Sequence, residues 1–131
     1  MEQLDEVDVY YATLEKNFPE MIDSDHLGLW VGPGWHKIIF NLCTQIQHHM
    51  KHVNRDEDKV RPVKLVQIKE KFGGLRFYYD GGDSFVDGMV TMAEVWASTT
   101  CEECGAPGVS RHGGWIKTLC DHHHNKRQTK D

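Results

Sequence analysis

The chain has no apolar run long enough to cross a membrane, since a spanning helix needs about 18 or more consecutive apolar residues. It also lacks the basic start of a secretory signal and begins with the acidic stretch MEQLDEVD. Internal repeats are absent, and the one biased segment is a short polar tail. These absences predict a cytoplasmic protein with no membrane partner. Its 131 residues are expected to fold as one unit.

Basic charge is scarce at the beginning of the chain, where residues 1–25 contain eight Asp or Glu and a single Lys. The net charge is -5, and an acidic start argues against a protein that coats nucleic acid through bulk charge. Residues 61–80 differ, because they carry five Lys or Arg against two acidic residues. These basic residues could therefore still contact the phosphates of a nucleic acid locally.

Two enzyme signatures are missing. The phosphate-binding pattern G-x4-G-K-[ST] does not occur, and no H-x-E stands before a P-C-x-x-C segment. These absences exclude a P-loop and a zinc-dependent nucleobase deaminase. We therefore favour a protein that is not an enzyme, although the sequence leaves a catalytic role open.

Apolar spacing predicts two N-terminal helices. The first runs from Leu4 to Phe18 and ends before a proline, and the second runs from Trp35 to Asn54. Residues 20–34 are rich in glycine and are expected to form an irregular connection. The apolar stripes are Leu4, Val7, Tyr11, Leu14 and Phe18 in the first helix, and Trp35, Ile38, Leu42, Ile46, His49 and Val53 in the second.

Alternating residues then predict an antiparallel hairpin. Its strands are Val63 to Phe72 and Leu75 to Tyr79, and the two glycines between them form the turn. The side chains expected to share a face are Val66, Ile68 and Phe72 on the first strand, and Phe77 and Tyr79 on the second.

A third helix is expected to follow the hairpin. It runs to Ala97, and Asp83 or Ser84 caps its N-terminus. The spacing of its apolar residues predicts a buried stripe of Phe85, Met89, Ala93 and Trp96.

The last third contains the strongest motif of the chain. Cys101 and Cys104 form a C-x2-C pair, and Cys120 and His123 form a C-x2-H pair after fifteen intervening residues. Two such pairs provide four ligands suited to a tetrahedral zinc ion. Disulfides are the alternative for four cysteines, but a C-x2-C pair in a cytosolic chain favours metal. We predict one structural zinc ion, because three thiolates and one imidazole leave no coordination position open.

Several histidines and one cysteine have alternative roles. The fourth ligand is ambiguous because residues 122–124 are all histidine, and His123 is preferred because its spacing from the preceding cysteine matches the first pair. His48 and His52 lie one helical turn apart and are expected on a solvated face. His49 is expected to be a packed, hydrogen-bonded core residue, and Cys43 a buried, inert thiol.

Residues 109–111 and 115–119 are predicted to form a second hairpin between the two ligand pairs. The order of knuckle, hairpin and ligand-bearing helix is that of a treble-clef zinc finger. The expected fold class is therefore α+β, with N-terminal helices packed on the first antiparallel hairpin, then a helix, then a treble-clef-like zinc-binding subdomain. The predicted boundaries are 1–99 for the core, 100–126 for the subdomain packed on it, and 127–131 for a polar tail.

Four blocks of the chain resemble a widespread family of small uncharacterised bacterial and phage proteins. The blocks are Gly34-Trp35 at the start of the second helix, VQIKEKFGGLRFYYDGG at 66–82, TCEECGAPG at 100–108 and GGWIKTLCDHH at 113–123. The resemblance covers nearly everything after residue 30. It implies a bacterial or phage-infected cell, an α+β fold and a zinc site in which the relatives' C-D-x-C or C-D-x-H pair maps onto Cys120 and His123. It implies no activity.

The first functional hypothesis is a non-catalytic protein-interaction module, encoded by a phage, that modulates a host or defence protein. It rests on the closed zinc site, the acidic first helix, and Arg111, His112 and Trp115, which are expected to be exposed at the tip of the second hairpin. Trp and Arg are frequent interface anchors. Packing of Trp115 on the zinc knuckle is the alternative.

Two other functions stay open. A zinc-dependent hydrolase or nuclease would use side chains around the metal, for which Asp121, His122 and Asn125 offer suitable atoms. Nucleic-acid binding would instead use the basic hairpin. The residues that would take part are Arg61, Lys64, Lys69, Lys71 and Arg76, with Phe77, Tyr78 and Tyr79 for stacking.

Overall fold

The computed structural model describes residues 6–23, 27–57 and 59–128. These residues contain four α-helices and five β-strands, joined by turns and loops. In chain order the elements are α1 (Glu6–Asn17), β1 (Gly28–Trp30), a turn of 3-10 helix (Pro33–Trp35), α2 (His36–Val53), β2 (Lys64–Lys71), β3 (Gly74–Asp80), α3 (Ser84–Ala97), β4 (Val109–Arg111), β5 (Lys117–Leu119) and α4 (Asp121–Gln128). The strands form a mixed sheet in the order β1-β2-β3 and a separate pair of β4 and β5. The predicted α+β class is confirmed.

No helix among the described residues combines the length and the apolar character that crossing a membrane would require. The predicted polar tail 127–131 overlaps the end of α4, because this helix continues to Gln128. Residues 129–131 lie outside the described part of the chain.

α2 carries the largest share of the helical core, as its strong apolar periodicity predicts. Trp35, in the turn before it, is fully buried, and the core residues that α2 itself contributes are Ile38, Ile39, Leu42, Cys43 and Ile46. Burial raises the pKa of the Cys43 thiol to about 12, so this cysteine is the inert core residue that the sequence predicts.

α1 buries the predicted stripe in part, because Leu14 and Phe18 lie in the core and Tyr11 packs partly buried against it. Tyr10, Leu14 and Phe18 are buried, whereas Val7 is 41% exposed, and Leu4 lies outside the described residues. Tyr10 stacks on His36 with ring centroids 3.6 Å apart, and its hydroxyl donates to the His36 carbonyl oxygen. A buried tyrosine needs such a partner for its hydroxyl. The contact with α2 therefore selects the face of α1 that packs.

β2 and β3 form the predicted antiparallel hairpin, but a β-bulge changes which side chains face the core. The register shifts between Leu65 and Gln67, so Leu65 and Ile68 are buried while Val66 is 43% exposed. An inserted residue reverses the alternation of the strand that carries it. The predicted face of the first strand is therefore wrong for Val66 and also for Phe72, which lies in the turn and is 71% exposed.

β1 is an element that the sequence did not predict. Residues 20–34 were expected to be irregular, but Gly28–Trp30 pairs in parallel with β2 and places Trp30 opposite Lys69. Three residues are too few to establish a period of two, and the hydrogen-bonding partner lies almost forty positions later in the chain. Tertiary structure therefore decided this strand.

α3 confirms the predicted stripe at Ala93, and Met89 packs partly buried against the core, but the prediction is wrong for Phe85 and Trp96. Its buried residues are Val86, Val90, Ala93 and Ala97, whereas Phe85 is 58% and Trp96 46% exposed. Both stripes repeat at intervals of three or four residues, so helical periodicity cannot choose between them. The smaller side chains face the core. Asp83 caps the helix as predicted, since its side chain accepts a hydrogen bond from the Val86 amide.

The turn between β2 and β3 places a phenylalanine in the left-handed region. Phe72 has φ 54° and Gly73 has φ 79°, which is the geometry of a type I′ turn. Asn is preferred at the first of these positions, because a bulky residue with positive φ costs on the order of 1 kcal/mol.

We expect Phe72→Asn to raise the free energy of unfolding by about 1 kcal/mol, because asparagine tolerates this conformation. Urea unfolding followed by circular dichroism measures the change. The control is Phe72→Ala, which removes the ring but keeps the backbone penalty and should give no comparable gain. A Phe72→Asn variant less stable than Phe72→Ala would contradict the explanation.

Candidate metal site

The two predicted ligand pairs meet in one cluster. The ligand atoms of Cys101, Cys104, Cys120 and His123 all lie within 4.8 Å of one another, so these residues could hold a metal ion. The Sγ atoms of Cys104 and Cys120 are 3.8 Å apart, and His123 Nδ1 lies 3.7 Å from Cys101 Sγ and 3.3 Å from Cys120 Sγ.

These three separations are close to the edges of a tetrahedron around one ion. Metal–sulfur bonds of about 2.3 Å and metal–nitrogen bonds of about 2.0 Å give edges of about 3.8 Å between two sulfurs and about 3.5 Å between sulfur and nitrogen. The sulfurs are not joined to each other, because the four cysteines of the chain are free. Three edges of the cluster therefore fit a four-coordinate metal site, and the other ligand atoms lie within 4.8 Å of one another.

The first ligand pair lies on a tight knuckle directly after α3. The Gly105 amide donates to the Cys101 carbonyl oxygen (2.9 Å), and the Cys101 amide donates to the Ala106 carbonyl oxygen (2.7 Å). Gly105 has φ 83°, which a residue with a side chain rarely adopts. This turn folds the chain back so that both sulfurs point to the same side.

The second pair lies at the start of α4. Cys120 precedes the helix, and the His123 amide points at Cys120 Sγ over 3.4 Å. Three residues of helix bring the two side chains to one side of the first turn. The structure thus places His123, rather than His122 or His124, in the cluster; the ring of His122 is exposed and packs edge-on against His123.

The local electrostatics of the cysteines depend on the backbone. Burial opposes ionisation of Cys101, but the amides of Cys120, Cys104 and Glu103 point at its sulfur, and the net effect lowers its pKa below the usual value. At Cys104 the Ala106 amide lowers the pKa, while desolvation and the sulfurs of Cys101 and Cys120 raise it by more. Neighbouring thiolates repel one another, so the three sulfurs do not all lose their protons unless a cation is bound between them. A metal ion supplies this positive charge.

Glu102, between the first two ligands, ties the knuckle to the core. Its carboxylate accepts from the Gly32 amide (2.9 Å), and its carbonyl oxygen accepts from the Gly34 amide (2.6 Å). Its own amide donates to the Thr118 carbonyl oxygen (3.0 Å). Burial raises the pKa of the Glu102 carboxyl, although Gly32 and Lys117 oppose the shift. The sequence contained no signal for this role, because all partners are distant in the chain.

Two further hydrogen bonds attach the C-terminal region to the rest of the protein. The indole of Trp35 donates to the Thr100 carbonyl oxygen (2.9 Å), directly before the first ligand. The Thr118 hydroxyl donates to the Gly73 carbonyl oxygen (2.7 Å), in the turn between β2 and β3. The position of the cluster is therefore set by contacts from the turn before α2 and from the turn between β2 and β3.

Of the three predicted partner-binding residues, Arg111 does not lie free at the hairpin tip. Its side chain is only 18% exposed, and it donates to Asp121 (2.8 Å) and to the Leu119 carbonyl oxygen (3.2 Å). Arg111 lowers the pKa of Asp121 and joins β4 to α4. His112 is exposed, and Trp115 is 71% exposed. The expectation of an exposed Arg111 is wrong, because the hairpin turns this side chain towards the helix.

Trp115 lies beside Phe72, since the two hairpin turns pack together. Both rings line a surface depression of about 370 Å³ with Lys71 and Ile116. On its other side, Trp115 borders a depression of about 350 Å³ next to His123 and Arg127. The ring therefore projects between two depressions, and its large exposed fraction argues against the alternative that it packs closely on the knuckle.

The candidate nuclease residues lie around the same cluster. Asp121 is held by Arg111, and His122 and Asn125 are exposed on α4.

The histidines of α2 lie away from the cluster. His48 and His52 lie on a solvated face of this helix. His49 is hydrogen-bonded to Asp83 (2.8 Å), and it lowers the pKa of this carboxyl. Its ring also stacks on Phe85, with centroids 4.4 Å apart. His49 is therefore the packed, hydrogen-bonded residue that the sequence predicts.

The chain matches no family model, no curated protein and no solved structure at a significant level.

Proposed function

We propose that the chain is a small, non-catalytic interaction protein whose C-terminal part is held by one structural zinc ion. The observation that carries the proposal is the Cys101–Cys104–Cys120–His123 cluster, whose ligand atoms lie within 4.8 Å of one another. Three thiolates and one imidazole suit zinc, which takes four such ligands in structural sites. With all four positions filled by protein atoms, no position is left for a reacting water.

The arrangement of the elements supports a treble-clef-like subdomain. The knuckle at residues 101–105 is followed by the β4-β5 hairpin and then by α4, which carries the last ligand. A bacterial or phage origin and a host or defence protein as target rest on the sequence resemblance and remain predictions. The exposed His112 and Trp115 remain candidate contacts for such a target.

The surface that we propose for protein interaction is the uncharged face of α3, formed by Ser84, Phe85, Gly88, Thr91, Met92, Val95 and Trp96. Met92 is 66% and Val95 55% exposed. The two charged residues of α3 point elsewhere, because Asp87 accepts a hydrogen bond from the Tyr79 hydroxyl and Glu94 accepts one from the Phe77 amide. The exposed apolar side chains present on the order of 400 Å² without a charge, which is the size of a functional patch.

A second copy of the chain fits this face. If two α3 helices pack their exposed faces antiparallel about a two-fold axis at the level of residue 90, Phe85 of one meets Trp96 of the other, and Met92 meets Gly88. Large side chains then face small ones, and no like charges are brought together. A Cβ on Gly88 would meet nothing within 4 Å, so the chain's own packing does not require a glycine there. A stable dimer buries roughly 800 Å² per partner, so neighbouring α2 residues such as Asn41 and Gln45 would have to contribute to the contact.

We expect sedimentation velocity to give a dimer of twice the 15.1 kDa chain mass. Protein concentrations of about 5–200 µM cover the range in which interfaces of this size associate. Met92→Lys should give a monomer, because the lysine charge would be buried. Gly88→Ala should weaken the dimer by filling the space for Met92, while raising helix stability by about 1 kcal/mol.

The matched control is Val109→Lys, which adds the same charge at a similarly exposed apolar residue on β4. This variant should remain dimeric. A wild-type chain that sediments as a monomer throughout the range, or dimers that persist in both α3 variants, would overturn the proposed interface.

A further inference from the structure

The outer face of the β1-β2-β3 sheet combines aromatic and basic side chains. We call the residues Trp30, Lys69, Lys71, Phe72, Arg76 and Tyr78 the basic-aromatic face. Trp30 is 63%, Phe72 71% and Tyr78 44% exposed. These rings lie on the side of the sheet away from the core, which contains Ile68, Leu75 and Phe77.

Strand register places these residues next to one another. Trp30 on β1 lies opposite Lys69 on β2, which lies opposite Arg76 on β3. The neighbouring row is Gly28, Gln67 and Tyr78. A Cβ on Gly28 would come within 2.4 Å of the Trp30 ring, so the indole covers this glycine and lies in the row of Tyr78. Two rings therefore share one row, separated by two inter-strand spacings, or about 10 Å.

The positive charges lie between and beside the rings. Lys69 Nζ is 5.9 Å from the centre of the Tyr78 ring, and Lys71 Nζ is 5.7 Å from that of Phe72. The nearest side-chain atom to a Cβ on Gly74 would be the Arg76 guanidinium, so this group lies along the sheet surface near the turn.

Acidic side chains do not cancel this local charge. Glu70, between the two lysines, accepts a hydrogen bond from the Gly73 amide (2.7 Å), which directs its carboxylate to the turn. Asp80 lies at the far end of β3, opposite Lys64. The face is therefore locally basic although the chain as a whole is acidic.

The structure changes the set of residues that the sequence offered for nucleic-acid binding. Phe77 is buried, and the Tyr79 hydroxyl donates to Asp87, so Tyr78 is the exposed ring of the three. Lys64 is engaged with the Glu20 carbonyl oxygen. Trp30 on β1 provides an exposed ring in place of Phe77 and Tyr79.

We propose that the basic-aromatic face binds single-stranded nucleic acid. Unpaired bases would stack on Trp30 and Tyr78, while the phosphates between them contact Lys69 and Arg76. Stacking on exposed aromatic rings beside cations is the common mode of single-strand binding, and every base has a face to offer. A duplex cannot use these rings without unstacking its bases. Phe72 and the adjacent Trp115 extend the path beyond the sheet.

The test uses the full chain purified without chelator and a fluorescein-labelled oligothymidylate of about 20 nucleotides, a length that exceeds the roughly 4–16 nucleotides bound by one small domain. Fluorescence anisotropy should show binding at low salt. The logarithm of the association constant should fall with the logarithm of salt concentration with a slope of about -1.4, as expected for two contacted phosphates. Trp30→Ala and Tyr78→Ala should each weaken binding by about five- to one-hundred-fold, and Trp30→Phe should restore most of the affinity.

Two charge variants provide the matched comparison. Lys69→Gln should reduce the salt slope by about 0.7, whereas Lys51→Gln, which removes the same charge from the exposed surface of α2, should leave affinity and slope unchanged. The proposal is overturned if the wild-type chain leaves the anisotropy unchanged at low salt, if both aromatic variants bind as the wild type does, or if a duplex of equal length binds as tightly.

Discussion

Removal of the proposed zinc ion is expected to unfold residues 100–128 and to destabilise the remaining core. This region has little apolar material of its own, since α4 has no buried residue and β4 and β5 have three residues each. A structural zinc site supplies roughly 10–16 kcal/mol of binding energy, which in such a region is folding energy. Metal analysis of protein purified without chelator should find one zinc ion per chain.

Amide hydrogen exchange measures the effect residue by residue. A strong chelator, or the substitution Cys104→Ser, should remove the protection of Leu119 and of the α4 amides. Cys43→Ala is the control, because it removes a thiol that lies in the core and outside the cluster. This variant should keep one zinc ion. Protein that contains no zinc, or apo protein with unchanged protection in α4, would contradict the structural role of the metal.

Trp35→Ala is expected to lower the free energy of unfolding by about 3–5 kcal/mol, which is the usual cost of deleting a buried aromatic side chain. Trp35 is the largest fully buried side chain, and its indole donates to the carbonyl oxygen of Thr100. The substitution leaves a cavity in the core and an unpaired buried oxygen beside the first ligand. Urea unfolding of the metal-bound protein measures the loss.

Two further variants separate the causes. Trp35→Phe keeps most of the ring but loses the hydrogen bond, so it should cost less than the alanine substitution. Trp115→Ala removes an equally large side chain that is 71% exposed, and it should change stability by no more than about 0.5 kcal/mol. Equal losses in Trp35→Ala and Trp115→Ala would refute the assignment of Trp35 as the link between core and knuckle.

Features that depend on near neighbours in the chain could be predicted from the sequence. The position of α2 follows from its apolar period, and the β2-β3 hairpin follows from two strand-like runs around a pair of glycines. The grouping of the four candidate ligands follows from their spacing, because a knuckle and the first turn of a helix each bring residues three apart to one side.

Features that depend on distant neighbours could not be predicted in the same way. The exposed stripe of α3 has the periodicity of a buried one, and the choice between the two depends on the fit against α2 and β3. The same holds for Arg111, whose partner Asp121 lies across a hairpin.

The sequence by itself determined the α+β class, the main helices, the first hairpin and the two pairs of candidate metal ligands, because each is encoded in the spacing of residues that are close in the chain. Tertiary structure decided the addition of β1 to the sheet, the exposed face of α3 and the link through Glu102. It also decided the surface on which Trp30 and Tyr78 share a row. These features arise from contacts between residues far apart in the chain, and local periodicity carries no information about such contacts.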